Sequence, residues 1–125
     1  MMVSLNYNLE IKPGMNLEFM QTIGAIIIEL RNIDGFTGID FKQYSHDKDR
    51  FSLLLNGNNQ EFIDKLLSTE EYKFLEGAIT VLCKPPTVEV TIGNKTIQID
   101  PDKKRDISLK NQIISKLDNN HQLRD

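Results

Sequence analysis

Tyr7 and Tyr72 are the side chains of this sequence best suited to handle a phenolic molecule, since each stands at an inward position of an apolar-periodic segment. A tyrosine hydroxyl held beneath a layer of helices can hydrogen-bond a phenol or stabilise its oxyanion. It can equally belong to a core aromatic whose hydroxyl finds a carbonyl. Glu76 is the titratable helix residue that could serve as a base and generate a phenolate or carbanion; on a solvated face it would be an ordinary surface glutamate. Cys83 ends a helical segment, where the local dipole disfavours a thiolate, so a reactive cysteine is not expected. His46 stands in a polar turn with Asp47 and Asp49, too few and too closely spaced to form a metal site.

Bulk properties narrow the setting. At 125 residues, 39% hydrophobic and 26% charged, the chain is long enough for one domain with a real core. Its net charge is −3, and the one basic cluster, Lys103-Lys104-Arg105, is flanked by Asp100, Asp102 and Asp106. Nucleic-acid binding, which needs a sustained basic surface, is not expected. A lone cysteine allows no intramolecular disulfide and points to a reducing compartment. No basic-then-apolar leader opens the sequence, and the apolar run at Ile26-Ile27-Ile28 is too short to cross a bilayer. Cytoplasmic residence without membrane attachment is the expectation.

The elements that must position these side chains follow from periodicity. Leu5, Tyr7, Leu9 and Ile11 alternate with Asn6, Asn8 and Glu10, the period-two pattern of a half-buried strand. Pro13-Gly14 ends it. From Asn16, read as the N-cap, Phe19, Met20, Ile23, Ile26, Ile27, Leu30 and Ile33 recur at helical spacing, with Gly35 just past the end. Phe36 to Tyr44 reads as a second strand, 46–49 as a turn, and Arg50 to Asn56 as an antiparallel third strand. The 56–59 stretch (Asn-Gly-Asn-Asn) breaks that strand and caps a helix on Phe62, Ile63, Leu66 and Leu67. The capping-box spacing from Ser68 to Glu71 predicts a break and a further helix from Thr69 to Leu82. Pro85-Pro86 stops it, Thr87 to Ile92 is a fourth strand, and Gly93-Asn94-Lys95 turns into a short fifth, Thr96 to Asp100. Gly24 and Gly77 sit inside helices, where glycine costs about 1 kcal/mol against alanine, so each needs close helix approach or room for a ligand. Residues 101–125 form an extension with a weak amphipathic helix on Ile107, Ile113, Ile114 and Leu117 and a frayed end, able to dock on a partner.

Two strand–helix–strand units joined by a hairpin make residues 1–100 a ferredoxin-like βαββαβ domain, α+β, with an antiparallel sheet and its helices on one face. The other sheet face carries Asn6, Asn8, Asp40, Lys42, Tyr44, Ser52, Leu54, Asn56 and Glu89, a mixed surface that can be solvated or meet its copy across a two-fold axis.

Glu10-Ile11-Lys12-Pro13-Gly14, Ile33-Asp34-Gly35-Phe36, the 51–56 run Phe-Ser-Leu-Leu-Leu-Asn, and Phe62, Leu66, Ser68 and Tyr72 together resemble the antibiotic biosynthesis monooxygenase family, of the dimeric α+β barrel superfamily. The likeness spans Leu5 to Val90, about two-thirds of the chain, and is one of layout and spacing. It implies a homodimer, no cofactor, and a pocket between sheet and helices for a small quinol-like aromatic. Tyr72 and Glu76 are the catalytic candidates and Tyr7 a pocket candidate from their own positions; the resemblance adds Asn6, Asn8, Ser52, Asn56 and Phe62 as pocket candidates. Where many members place a tryptophan at the end of the third strand, this chain has Asn56, and the helix that carries a haem-ligating histidine in other members has none here. Those departures argue against haem degradation. They also leave a non-catalytic ligand-binding or dimerisation module as the competing expectation.

Overall fold

The computed structural model describes residues 2–99 and 111–115. Strand β1 (Val3–Glu10) is followed by helix α1 (Asn16–Leu30), and β2 (Phe36–Tyr44) forms a hairpin with β3 (Asp47–Gly57). Helices α2 (Gln60–Leu67) and α3 (Glu70–Leu82) precede β4 (Thr87–Ile92) and β5 (Lys95–Ile99). The sheet order is β2-β3-β1-β4-β5, antiparallel at every pairing. This is the expected ferredoxin-like α+β plan, with β5 added beyond β4.

The alternation of β1 decides which side is wet. Leu5, Tyr7 and Leu9 are fully buried, whereas their neighbours Asn6, Asn8 and Glu10 turn to the other face. Register carries that division across the sheet: Tyr7 pairs with Leu53 and Val88, and Asn8 with Ser52 and Thr87. Phe19, Ile23, Ile26 and Leu30 from α1, with Tyr72, Leu75, Ile79 and Leu82 from α3, close over the apolar face. Phe41 and Phe51 stack there at 5.0 Å, and Phe19 packs tilted against both at 5.9 and 5.6 Å.

Several boundaries differ from the sequence reading, each for a local reason. The N-cap of α1 is Met15, not Asn16, whose amide instead donates to the Asp49 carboxylate at 2.6 Å. Ahead of it, the Met15 N–H bonds the Lys12 carbonyl across Pro13 and Gly14, with Gly14 at φ +81°, the residue pattern of a type II turn. Helix α1 stops at Leu30, because Asn32 and Ile33 bond back three residues to Glu29 and Leu30 in tightened turns; Ile33 reaches the core from outside the helix. Strand β3 begins at Asp47, since Tyr44 pairs with Asp47 around a two-residue turn at Ser45 and His46. The break before α3 stands where expected, but its cap is Thr69, whose hydroxyl accepts from the Tyr72 N–H, while Ser68 donates back to the Asp64 carbonyl. Thr69→Ala is accordingly expected to cost about 1 kcal/mol in urea unfolding, and Ser68→Ala only a few tenths.

Of the C-terminal extension, residues 111–115 are helical, Ile113 is buried in this chain's own core, and Ile114 packs against it. Ile107 and Leu117 lie outside the described residues.

Candidate functional site

Two phenols meet inside the core. Tyr7 comes from the middle of β1 and Tyr72 from the first turn of α3, placed there by the Thr69 cap. Their hydroxyls hydrogen-bond each other at 2.8 Å, with relative exposures of 0% and 1%. One O–H is therefore spent on the other ring's oxygen, and one O–H of the pair remains to be donated.

Electrostatics keep both rings neutral. Burial pushes the Tyr7 hydroxyl well above the usual phenol range, the bond from Tyr72 offsets part of that, and the Glu76 carboxylate raises it again. Tyr72 is raised first by burial, then by Tyr7 and by Glu76. Glu76 stands one helical turn beyond Tyr72 on the same edge of α3, half-buried. The three groups make a donor pair beside a carboxylate, between sheet and helix.

The remaining expected pocket residues divide between the two sides of the sheet. Asn6, Asn8, Ser52 and Asn56 lie on the face away from the helices, where Ser52 Oγ donates to Asn6 Oδ1 at 3.0 Å. Phe62 is on the helix side but near the far end of β1: it packs edge-on to Phe36 at 5.4 Å and covers Gly57, which pairs with Val3. That is four residues, or about 13 Å of strand, from Tyr7. Tyr7, Tyr72 and Glu76 thus converge; Asn6, Asn8, Ser52, Asn56 and Phe62 do not join them.

Cys83 is buried at the end of α3 and bridges Ile11 through the backbone; burial pushes its thiol up to about 11, against a smaller lowering by Lys12. A nucleophilic thiolate is not available there near neutrality.

A groove of about 690 Å³ runs over the outside of the α1–α3 pair, floored by Ala25, Ile26 and Ala78 and edged by Phe74 and Val81. It adjoins a smaller one of about 280 Å³, bounded by Glu29 and Glu71. None of the nominated catalytic or pocket residues lines either, but Gly77, noted in the sequence as a helix glycine that could leave room for a ligand, lines the larger. Outside the groove, Leu17, Met20 and Ile28 give α1 further exposed apolar positions beyond the one stripe that faces the sheet. Among the described residues no helix is long and apolar enough to cross a membrane.

No protein family and no curated protein matches the sequence. Solved structures do match the fold. SnoaB, a cofactor-independent oxygenase from Streptomyces nogalater, superposes with TM-score 0.67 at 10% identity, covering 77% of this chain and 96% of that one. An antibiotic biosynthesis monooxygenase-type protein of Nitrosomonas europaea gives 0.64 at 13% identity, over 82% and 92%. A conserved protein from Methanosarcina mazei gives 0.68 at 14% identity, over 73% and 91%.

Proposed function

We propose that this chain, which has the fold of the antibiotic biosynthesis monooxygenase-type proteins, is a cytoplasmic homodimer that oxidises a small quinol-like aromatic without a cofactor. The observation that supports this most is the convergence of two neutral phenols and one carboxylate between sheet and helices. Glu76 takes a proton from the activated ring carbon or phenol of the substrate. The remaining O–H of the tyrosine pair hydrogen-bonds the oxyanion so formed, in surroundings where such a bond is strong. The electron-rich substrate anion passes one electron to O₂, and the radical pair joins in a new C–O bond. Return of the proton gives a hydroperoxide, and loss of water leaves a carbonyl. A CH₂ becomes C=O; one oxygen atom stays in the product and the other leaves as water.

A second reading is favoured by the closure of the same group. The two hydroxyls bond each other inside packed core, an arrangement that suits a non-catalytic ligand-binding or dimerisation module.

Oxygen uptake with a panel of quinols and anthrones separates the two. The oxygenase reading expects stoichiometric O₂ consumption and a kcat reduced about 10²-fold in Glu76→Gln, with unchanged circular dichroism. Uptake no faster than in buffer, across the panel, leaves the module.

A further inference from the structure

We propose that the groove between α1 and α3 docks a basic amphipathic helix of about three turns, supplied by a protein partner. Tyr7, Tyr72 and Glu76 do not line it, so the inference is independent of the oxidation chemistry. The groove lies on the helix side of the sheet. A second copy paired through the mixed sheet face would leave it open.

Its shape fits a helix of that length. The groove of about 690 Å³ and its smaller neighbour share Ala25, Ile26 and Phe74, so the two form one continuous trough. Glu29 and Glu71 stand together at one end, which puts Glu18 with Leu82 at the other. From Glu71 to Leu82 the trough follows about 16 Å of α3, the rise of three turns. Phe74, Gly77 and Val81 line its α3 side at spacings of three and four residues. Phe74 and Val81 are each 65% exposed, and between them a Cβ built on Gly77 meets nothing within 4 Å. Packing inside the protomer therefore gives no reason for a glycine that weakens α3. Bare backbone between two raised side chains lets an incoming helix settle close to the floor.

Backbone chemistry selects a helix over an extended strand. The walls are themselves helices, whose interior N–H and C=O groups are paired along their own axes. A strand laid on this apolar floor would leave its polar backbone unmatched, whereas a helix satisfies its own and presents an apolar stripe.

Charge selects the sign of the partner. The trough has carboxylates at both ends, Glu18, Glu29 and Glu71, and none of them forms an ion pair with a described residue. The one cation among its lining residues, Lys73, is engaged by Glu70 at 3.8 Å. On the sheet side, by contrast, Glu10 holds Arg50 and Lys84, and Asp40 holds Lys42. Glu18 and Glu29 are eleven residues apart on α1, close to three full turns, so they face the same way. A helix with lysine or arginine at each end of a three-turn apolar stripe meets carboxylates at both ends of the trough. Nucleic acid or an anionic bilayer is repelled.

Fluorescence polarisation on the full chain tests this with a labelled, stapled helical peptide of alanine, leucine and lysine. Its leucines stand at i, i+4 and i+7 and its lysines at both ends; a second peptide has glutamate for every lysine. The wild type is expected to bind the lysine peptide saturably and the glutamate peptide at least about tenfold more weakly. Gly77→Leu, which fills the trough, should weaken the lysine peptide at least about tenfold. Glu18→Lys/Glu29→Lys/Glu71→Lys should reverse the preference between peptides, and the sheet-face variant Leu54→Glu should change nothing. Circular dichroism checks each fold, and the charge variant stands alone if Gly77→Leu fails that check. No saturable binding by the wild type, equal binding of the two peptides, or a folded Gly77→Leu that binds as the wild type does overturns the proposal. Self-association of the wild type that Gly77→Leu abolishes in sedimentation velocity would give the groove to a second copy and overturn it as well.

Discussion

Gly57→Ala is expected to destabilise the protein by about 2–4 kcal/mol, a fall in Tm of roughly 10–20 °C for a domain of this size. The backbone conformation does not demand glycine at this position, unlike Gly14 and Gly35, whose φ values are +81° and +88°. What demands it is the Phe62 ring, which lies so flat on the end of β3 that an added Cβ would occupy the ring's own space. Phe62 cannot easily yield. Its backbone N–H is held by the Asn59 cap, and its ring is wedged against Phe36. Relief must come from moving α2 off the sheet, and with it the burial of Ile63, Leu66 and Leu67. Urea unfolding of Gly57→Ala beside the double variant Gly57→Ala/Phe62→Leu makes the cause visible. The smaller side chain should recover part of the loss, although Phe62→Leu alone is destabilising. A single variant within about 3 °C of wild type would show that the ring shifts at little cost and that this account of the glycine is wrong.

The same position shows what the sequence could convey and what it could not. Read linearly, Asn56-Gly57-Asn58-Asn59 is a breaker followed by a cap, and Asn59 does cap α2. That Gly57 belongs to the strand, beneath a ring five residues on, depends on the angle at which α2 meets the sheet. Strong periodicity fared best. The alternation of β1 told which residues are buried, and the stripe Tyr72, Leu75, Ile79, Leu82 told how α3 lies. Short polar side chains fared worst, because they trade partners across long sequence distances: Asn16 was claimed by Asp49 rather than by its own helix. The candidate site was half legible. Tyr7 and Tyr72 fall at inward positions by spacing alone, but their direct contact depends on the register of α3 over β1. Resemblance placed Asn6, Asn8, Ser52 and Asn56 with them, whereas the alternation already visible in β1 sends the asparagines to the opposite face. Where layout and periodicity disagreed, periodicity was the better guide.

Raising the pH above 10 is expected to unfold this protein more steeply than its surface charge would. Both phenols have folded-state pKa values above the ordinary 10 of an unfolded tyrosine. Below pH 10 both states are protonated there, and the pair contributes its full stability. Above it the unfolded chain gives up two protons that the folded chain retains, so stability falls by up to about 2.7 kcal/mol per pH unit from this pair. Lysines titrate in the same range, so the informative quantity is a difference between variants. Tyr7→Phe/Tyr72→Phe removes both hydroxyls and should flatten the alkaline limb while changing stability little at pH 7. Either single variant strands one buried hydroxyl and should cost about 1–3 kcal/mol at pH 7, with roughly half the alkaline slope. Urea midpoints at pH 7, 9, 10 and 11 for the four proteins complete the cycle. Equal slopes in wild type and double variant would mean that the pair ionises in the folded state. A ligand-accessible site, not a sealed core, would then hold the two phenols.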